Sequence, residues 1–309
     1  GLVNKHAQVK ITLNIETEAD KGQDHVTARM AVAAEDVIAK SGVDRRDVAA
    51  VGIGAPGSMD YKKGVIITPP NLPNWRNVPL RGKIRELTGL PAVMENDANA
   101  AAWGEFWAGA GRDVNDMVMF TLGTGVGGGI IIDGRLIRGH FDNAGELGHI
   151  VIHPGGEPCG CGQKGCLEAY SAAASVARRA VNAFKAGEPA SLAKRLQNGQ
   201  PIESTHVVQA AKTGDALATR IWNEACQGLA LAILTVQHYS NPQRVVMAGG
   251  MIGAGDFLLD RVRDYANTLT WMAARDLPEI VLATLGNDAG LIGAAGSAWT
   301  AWKNNAFLD

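Results

Sequence analysis

Three of the four cysteines in this 309-residue chain fall within eight residues, Cys159-Gly-Cys161-Gly-Gln-Lys-Gly-Cys166, and His149 lies ten residues upstream. Four soft donors this close along a chain require the backbone to fold back on itself. Thiolate and imidazole are the ligands a tetrahedral zinc ion takes, and Gly160, Gly162 and Gly165 let the backbone curl tightly enough to aim three sulfurs at one point. A disulfide pair with one thiol left over fits less well. Three is an odd number, disulfides need an oxidising compartment, and no secretory segment is seen at the amino end. A structural zinc site at His149, Cys159, Cys161 and Cys166 is therefore expected. Cys226 lies in the apolar run 225–236 and reads as a small buried hydrophobe.

A chain of this length suits two α/β domains with ample core. Hydrophobic residues make up 46% and charged residues 19%, the balance of a globular chain. A formal charge of -2 with no basic tract gives no electrostatic footprint for nucleic acid. The longest strongly apolar run, 229–236, is too short to span a bilayer, and nothing resembles a targeting peptide, so no membrane partner and a cytoplasmic location are expected.

Apolar strands alternate with alanine-rich helical stretches. Residues 26–41 read as a helix, 48–52 as a strand and 54–57 as the loop behind it; 92–95 reads as a strand leading into a helix over 98–108. Gly109, Gly111 and the polar stretch 112–116 break the pattern and mark a candidate hinge. Strands follow at 117–122 and 128–132, with Asp133-Gly134 as a hairpin turn before a third strand from Arg135. The segment Gly123-Thr-Gly-Val-Gly-Gly128 matches the dinucleotide pattern G-x-G-x-x-G, but the context is wrong. That motif must open a helix, whereas Gly129-Ile-Ile-Ile132 is β-branched. Bare backbone N–H groups in a hairpin turn can still bind phosphate, or the glycines can serve the turn alone. Farther on, a helix over 218–240, a strand over 244–247 and the glycine turn 248–253 before another helix form a layout in which Gly249 and Gly250 serve either a nucleotide or a tight turn.

Asp97 stands where a strand gives way to a helix, so its commonest use is the helix N-cap and its sharper use a general base at a cleft. Glu146 precedes His149 by three residues and Glu168 follows Cys166 by two, positions from which carboxylates can accept hydrogen bonds from vicinal hydroxyls on a loop that zinc holds rigid.

The run Glu95-Asn-Asp-Ala-Asn-Ala-Ala-Ala-Trp-Gly-Glu105, the loop Leu122-Gly-Thr-Gly-Val-Gly-Gly-Gly129, the segment Gly145-Glu-Leu-Gly-His149 and the cysteine cluster together resemble the ROK family of repressors, open reading frames and sugar kinases, and its bacterial glucokinases in particular. The resemblance covers nearly the whole chain. It implies an actin-like (ribonuclease H-like) fold of two α/β domains around a central cleft: a small domain over 1–112, completed by 295–309, and a large domain over 113–294 with the zinc loop. It implies ATP-dependent phosphorylation of a hexose at its 6-hydroxyl, most readily glucose, with magnesium. Asp97 would be the catalytic base. Gly57, Asn71, Asn96, Asp97, Glu146, His149 and Glu168 would hold the sugar, His149 bonding a hydroxyl through one ring nitrogen and zinc through the other. Gly123, Thr124, Gly125, Gly127 and Gly128 would form a phosphate loop, and Gly249 and Gly250, with 286–290, the adenosine segment. Family members commonly pair, so a homodimer is expected. Members of this fold begin with a strand and an Asp-x-Gly-Gly-Thr turn, the first phosphate loop. Residues 1–13 supply only the equivalent of the two strands that would follow it, so the chain as it stands is expected to be nearly inactive. A kinase for fructose, N-acetylmannosamine or N-acetylglucosamine, a sugar-sensing repressor and a sugar-binding protein without turnover are the rival expectations; a repressor would carry a helix-turn-helix ahead of this body.

Overall fold

The computed structural model describes residues 1–69, 72, 74–189, 191–269 and 276–308. The chain opens with a short antiparallel hairpin, β1 (Leu2–Val3) and β2 (Val9–Ile11), as the first residues lead one to expect. Helix α1 (Gln23–Ser41) ends at Gly42, whose left-handed backbone (φ 71°) suits glycine. Strand β3 (Val51–Ala55) follows, then the hairpin β4 (Ser58–Asp60) and β5 (Val65–Thr68), helix α2 (Leu80–Thr88), strand β6 (Ala92–Asn96) and helix α3 (Asp97–Ala108). Strands β3 and β6 pair in parallel. Ile53, Ile66, Trp75, Leu80, Ile84 and Met94 pack into the core of this half.

The strand expected at 48–52 begins three residues later and takes in Gly54, which the sequence places in a loop. The reason is α10 (Ala289–Lys303), the last helix of the chain, which crosses β3 so closely that a Cβ on Gly52 would stand 2.0 Å from the Ala294 carbonyl oxygen. A backbone approached this tightly excludes side chains, so glycines in a strand here signal packing rather than a turn.

The second half is built on a five-stranded sheet in the order β11, β10, β7, β8, β9. Its strands are β7 (Met117–Leu122), β8 (Val126–Ile132), β9 (Arg135–Leu136), β10 (Arg244–Ala248) and β11 (Glu279–Leu282). The first three form the antiparallel meander that the Asp133-Gly134 turn predicts, and β7, β10 and β11 run parallel. Met117, Val118, Met119 and Phe120 are fully buried, which accounts for the unbroken apolar reading of β7. Between β9 and β10 lie α4 (Glu168–Ser171), α5 (Ala173–Lys185), α6 (Ala193–Gln197), α7 (Ser204–Lys212) and α8 (Ala216–Ser240); α9 (Asp256–Thr268) leads back to β11. Helix α8 is capped by the Asp215 carboxylate, which accepts from the Ala218 amide at 2.7 Å, and it buries Ile221, Trp222, Leu229 and Ile233 against the sheet. Cys226 sits inside this core with no exposure, and burial pushes its thiol up to about 12, as expected of a packing residue. Among the described residues no helix is long and apolar enough to cross a membrane.

Candidate active site

A cleft of about 490 Å³ opens between the two halves. The ends of β3, β6 and β10 reach it, and so do the start of α3, the β7–β8 turn and the segment from Asp142 to His149. Gly57, Asn96, Asp97, Glu146, His149, Glu168, Gly123, Gly125, Gly127, Gly128 and Gly249 all line it, whereas Thr124, Gly250 and the stretch 286–290 fall outside the lining. Asn71 lies outside the described residues.

The helix cap at α3 belongs to Asn96, not Asp97. The Asn96 side-chain oxygen accepts from the amides of Ala98 (2.9 Å) and Asn99 (3.2 Å), while its amide group donates to the Gly57 carbonyl at 3.4 Å. This ties the loop behind β3 to the start of the helix and corrects the capping alternative for Asp97, which occupies the first helical position. Asp97 is open to the cleft and accepts from the Ala98 amide at 2.8 Å. Protein crowds the cleft around it, and that burial holds its pKa above the ordinary aspartate value against the lowering effect of the amides.

Glu146 stands across from it, its side chain 60% exposed, with one oxygen 3.9 Å from His149 Nε2. The other ring nitrogen of His149, Nδ1, faces Cys159 Sγ at 3.7 Å. Cys161 Sγ and Cys166 Sγ are also 3.7 Å apart, and the four donor atoms lie within 4.8 Å of one another. A zinc ion about 2.3 Å from each sulfur would make the edge of its tetrahedron about 3.8 Å, so the two 3.7 Å pairs match that ion and the wider pairs need draw in by no more than about 1 Å. Left-handed turns at Gly162 (φ 92°) and Gly165 (φ 84°) bring the sulfurs together; Gly160 needs no such conformation.

The glycine run divides by role. The β7–β8 turn comprises residues 123–125 and leads into a strand rather than a helix, as its β-branched sequel predicts. Gly127, Gly128 and Gly129 belong to β8. There a Cβ would meet Ala98 and Thr121, then Leu147, then Ala102, so these glycines let α3 and the 147–149 turn lie flat on the strand. Only Gly123 has open space where its Cβ would be. A Cβ on Gly125 would stand 2.4 Å from Glu168 Oε2, an oxygen that already accepts from the Val126 amide at 2.9 Å. Glu168 thus bridges the glycine turn and the cysteine cluster, whose Cys159 sulfur is 3.6 Å from its other oxygen.

The ROK family model matches residues 6–300. The chain belongs to the ROK family. A glucokinase of Thermotoga maritima is 35% identical over 295 residues, which are 96% of this chain and 92% of that protein. The ROK hexokinase from Thermus thermophilus superimposes with a TM-score of 0.80 at 33% identity, over 94% of this chain and 90% of that one. A ROK family glucokinase from Streptomyces griseus, solved with glucose and AMPPNP, gives a TM-score of 0.77 at 35% identity, over 96% and 94% of the two chains. The fold is accordingly the actin-like one, two α/β halves about a cleft.

In this ROK chain two carboxylates matter that the sequence reading left without a role. Glu95 is only 2% exposed at the end of β6; its Oε2 accepts from both Arg138 Nε (2.8 Å) and Nη2 (2.5 Å), and the guanidinium lies 3.9 Å from the centre of the Tyr61 ring. The Tyr61 amide in turn donates to Asp142 at 2.9 Å. The segment carrying Glu146 is so fastened to the strand carrying Asn96. A charge at the end of an otherwise apolar strand was the available signal. Glu105, at the other end of α3, is the second.

Proposed function

We propose that this chain phosphorylates a hexose at its 6-hydroxyl with ATP, and that glucose is the preferred sugar. The observation that carries the reading is the placement of Asp97. Relieved of capping by Asn96, its carboxylate stands in one cleft with the polar set Asn96, Glu146, His149 and Glu168 and with the bare backbone at Gly123. The names of the Thermotoga, Thermus and Streptomyces relatives, and the glucose and AMPPNP of the last, support it.

In this proposal the sugar's 6-oxygen attacks the γ-phosphorus, the bond to ADP breaks, and the hydroxyl proton passes to Asp97. Asn96, Glu146, Glu168 and His149 Nε2 hold the remaining hydroxyls. Zinc in the cluster would bind His149 Nδ1, which leaves the proton on Nε2 and aims it at the sugar. The turn 123–125 meets the phosphates, with the N–H groups of Thr124 and Gly125 as donors because those of Gly123 and Val126 are held by the Gly125 carbonyl and Glu168, and Gly127 and Gly128 back the turn from β8. Gly249, Gly250 and 286–290 serve the nucleoside. Magnesium accompanying the nucleotide supplies charge neutralisation at the phosphate oxygens. The same reading divides the chain into a small domain over 1–112, closed by 295–309, and a large domain over 113–294, whose approach excludes water as a competing acceptor. A coupled assay with ATP and a panel of glucose, fructose, mannose, N-acetylmannosamine and N-acetylglucosamine tests it. Preference for an N-acetylated sugar would overturn the choice of glucose, and failure of every sugar both to turn over and to bind in calorimetry would overturn the kinase reading.

A further inference from the structure

Glu105 has no solvent exposure, and its hydrogen-bond partners among the described residues include no cation. Its two oxygens accept from the amides of Ala110 (2.8 Å), Thr284 (3.0 and 3.2 Å) and Leu285 (2.8 Å), and from the Thr284 hydroxyl at 3.3 Å. A buried carboxylate is costly unless its lone pairs are filled, and here oriented N–H groups fill them. Gly109 is fitted to the arrangement, because a Cβ there would stand 2.1 Å from Glu105 Oε2.

The donors come from two places, the residues just beyond α3 and a segment about 180 residues away that runs straight into the turn Gly286–Asp288 and the start of α10. Beside Glu105, Gly104 receives the first turn of α10: a Cβ on it would be 2.2 Å from the Ala289 carbonyl oxygen. Gly286, with φ 56°, and Gly290 both have open space where a Cβ would project, so this turn offers bare backbone to an approaching molecule. Its strand lies beside the strand that ends at Gly249 in the cleft, joined by the Ala283 amide donating to the Met247 carbonyl at 2.8 Å. One helix of about 18 Å therefore carries Asp97 at its first position and grips the 284–290 turn near its last.

The geometry points to Glu105 as a positioning residue for the nucleotide: its carboxylate fixes the 284–290 turn at a set distance from Asp97. The inference rests on the kinase reading, with 286–290 facing the nucleoside. An apolar side chain would fill the same space without holding the turn's amides, which gives the charge its purpose.

The test is Glu105→Gln in the full chain, with Thr284→Val as a milder variant that removes only the hydroxyl donor. The amide keeps the shape but sets an NH₂ group against an N–H donor. An unhydrolysable ATP analogue and glucose are titrated separately by calorimetry, alongside KM for each substrate, kcat and Tm. Glu105→Gln is expected to weaken the analogue about tenfold and raise the ATP KM in parallel, with glucose binding within twofold of the parent. Thr284→Val is expected to shift the same quantity about threefold at unchanged Tm, and it decides the matter should the first variant fail to fold. Equal losses for sugar and nucleotide, or unchanged nucleotide affinity, overturn the positioning role while leaving the kinase reading intact. A parent protein that neither binds the analogue nor phosphorylates any hexose overturns both.

Discussion

Asp97 illustrates how one side chain's chemistry depends on its neighbour's. With Asn96 serving the helix amides, Asp97 is left to the cleft, where burial raises its pKa. Because the folded chain holds the Asp97 proton more tightly than the unfolded chain does, ionisation costs stability. That cost is absent below the unfolded value of about 3.9, grows as pH rises through the raised folded pKa, and is fully present at neutral pH. Asp97→Asn is therefore expected to lower kcat about a hundred- to ten-thousand-fold, leave glucose affinity within a few-fold, and maintain or raise Tm at pH 7. Turnover within a few-fold of the parent would remove Asp97 from the chemistry. For the parent, the acid limb of kcat/KM should lie above the pH at which an ordinary aspartate titrates. A second residue-scale prediction concerns Glu95, whose burial pushes its pKa up even though Arg138 pulls it down. Arg138→Met strands that carboxylate and should cost about 3 kcal/mol in urea unfolding, and adding Glu95→Gln should recover most of the loss. Equal stability of the parent and Arg138→Met would mean the pair is solvent-screened.

At the scale of elements, the crossing of α3 and α10 braces the first half, where α10 also covers β3. The helices meet backbone to backbone: a Cβ on Gly293 would stand 1.6 Å from the Ala100 carbonyl oxygen, and one on Gly104 2.2 Å from that of Ala289. Gly293→Ala is expected to cost about 2 kcal/mol or more, read from thermal unfolding, because neither helix can yield without lifting off the other. Gly290, one turn earlier in α10, faces open space. Gly290→Ala should stabilise the helix by about 0.5–1 kcal/mol yet raise the KM for ATP if that backbone faces the nucleoside. An unchanged KM would place the nucleoside elsewhere. The run in β8 follows the same rule of close approach, since α3 lies against Gly127 and Gly129 through Ala98 and Ala102. Much of this glycine-rich stretch thus serves the helix.

For the molecule as a whole, the cysteine cluster joins the two sides of the site. His149 turns one nitrogen toward the sulfurs and the other toward the cleft, and Glu168 reaches from the cluster to the glycine turn. Loss of the ion should therefore be felt beyond the loop. Protein prepared without chelator is expected to contain about one zinc per chain. Cys161→Ser should lower Tm by about 5 °C or more and raise the KM for sugar, because metal-binding free energy is also folding free energy for the segment that carries Glu146, His149 and Glu168. Metal analysis that finds no zinc in active protein would sink this account.

The cysteine spacing, the apolar β7, the Asp133-Gly134 hairpin and the strand-to-helix step at Asn96-Asp97 were legible in the amino-acid sequence, because each is set by residues within about ten positions of one another. The quoted motifs carried the family and the fold in the same way. Tertiary structure alone decided which glycines serve a crossing helix, since Gly52 and Gly54 read as strand end and loop until α10, some 240 residues later, is laid across them. It also decided that Glu95 answers to Arg138 and Glu105 to Thr284 and Leu285, 43 and about 180 positions away. A buried charge takes its meaning from the donors that the fold brings to it, and periodicity along the chain contains no trace of them.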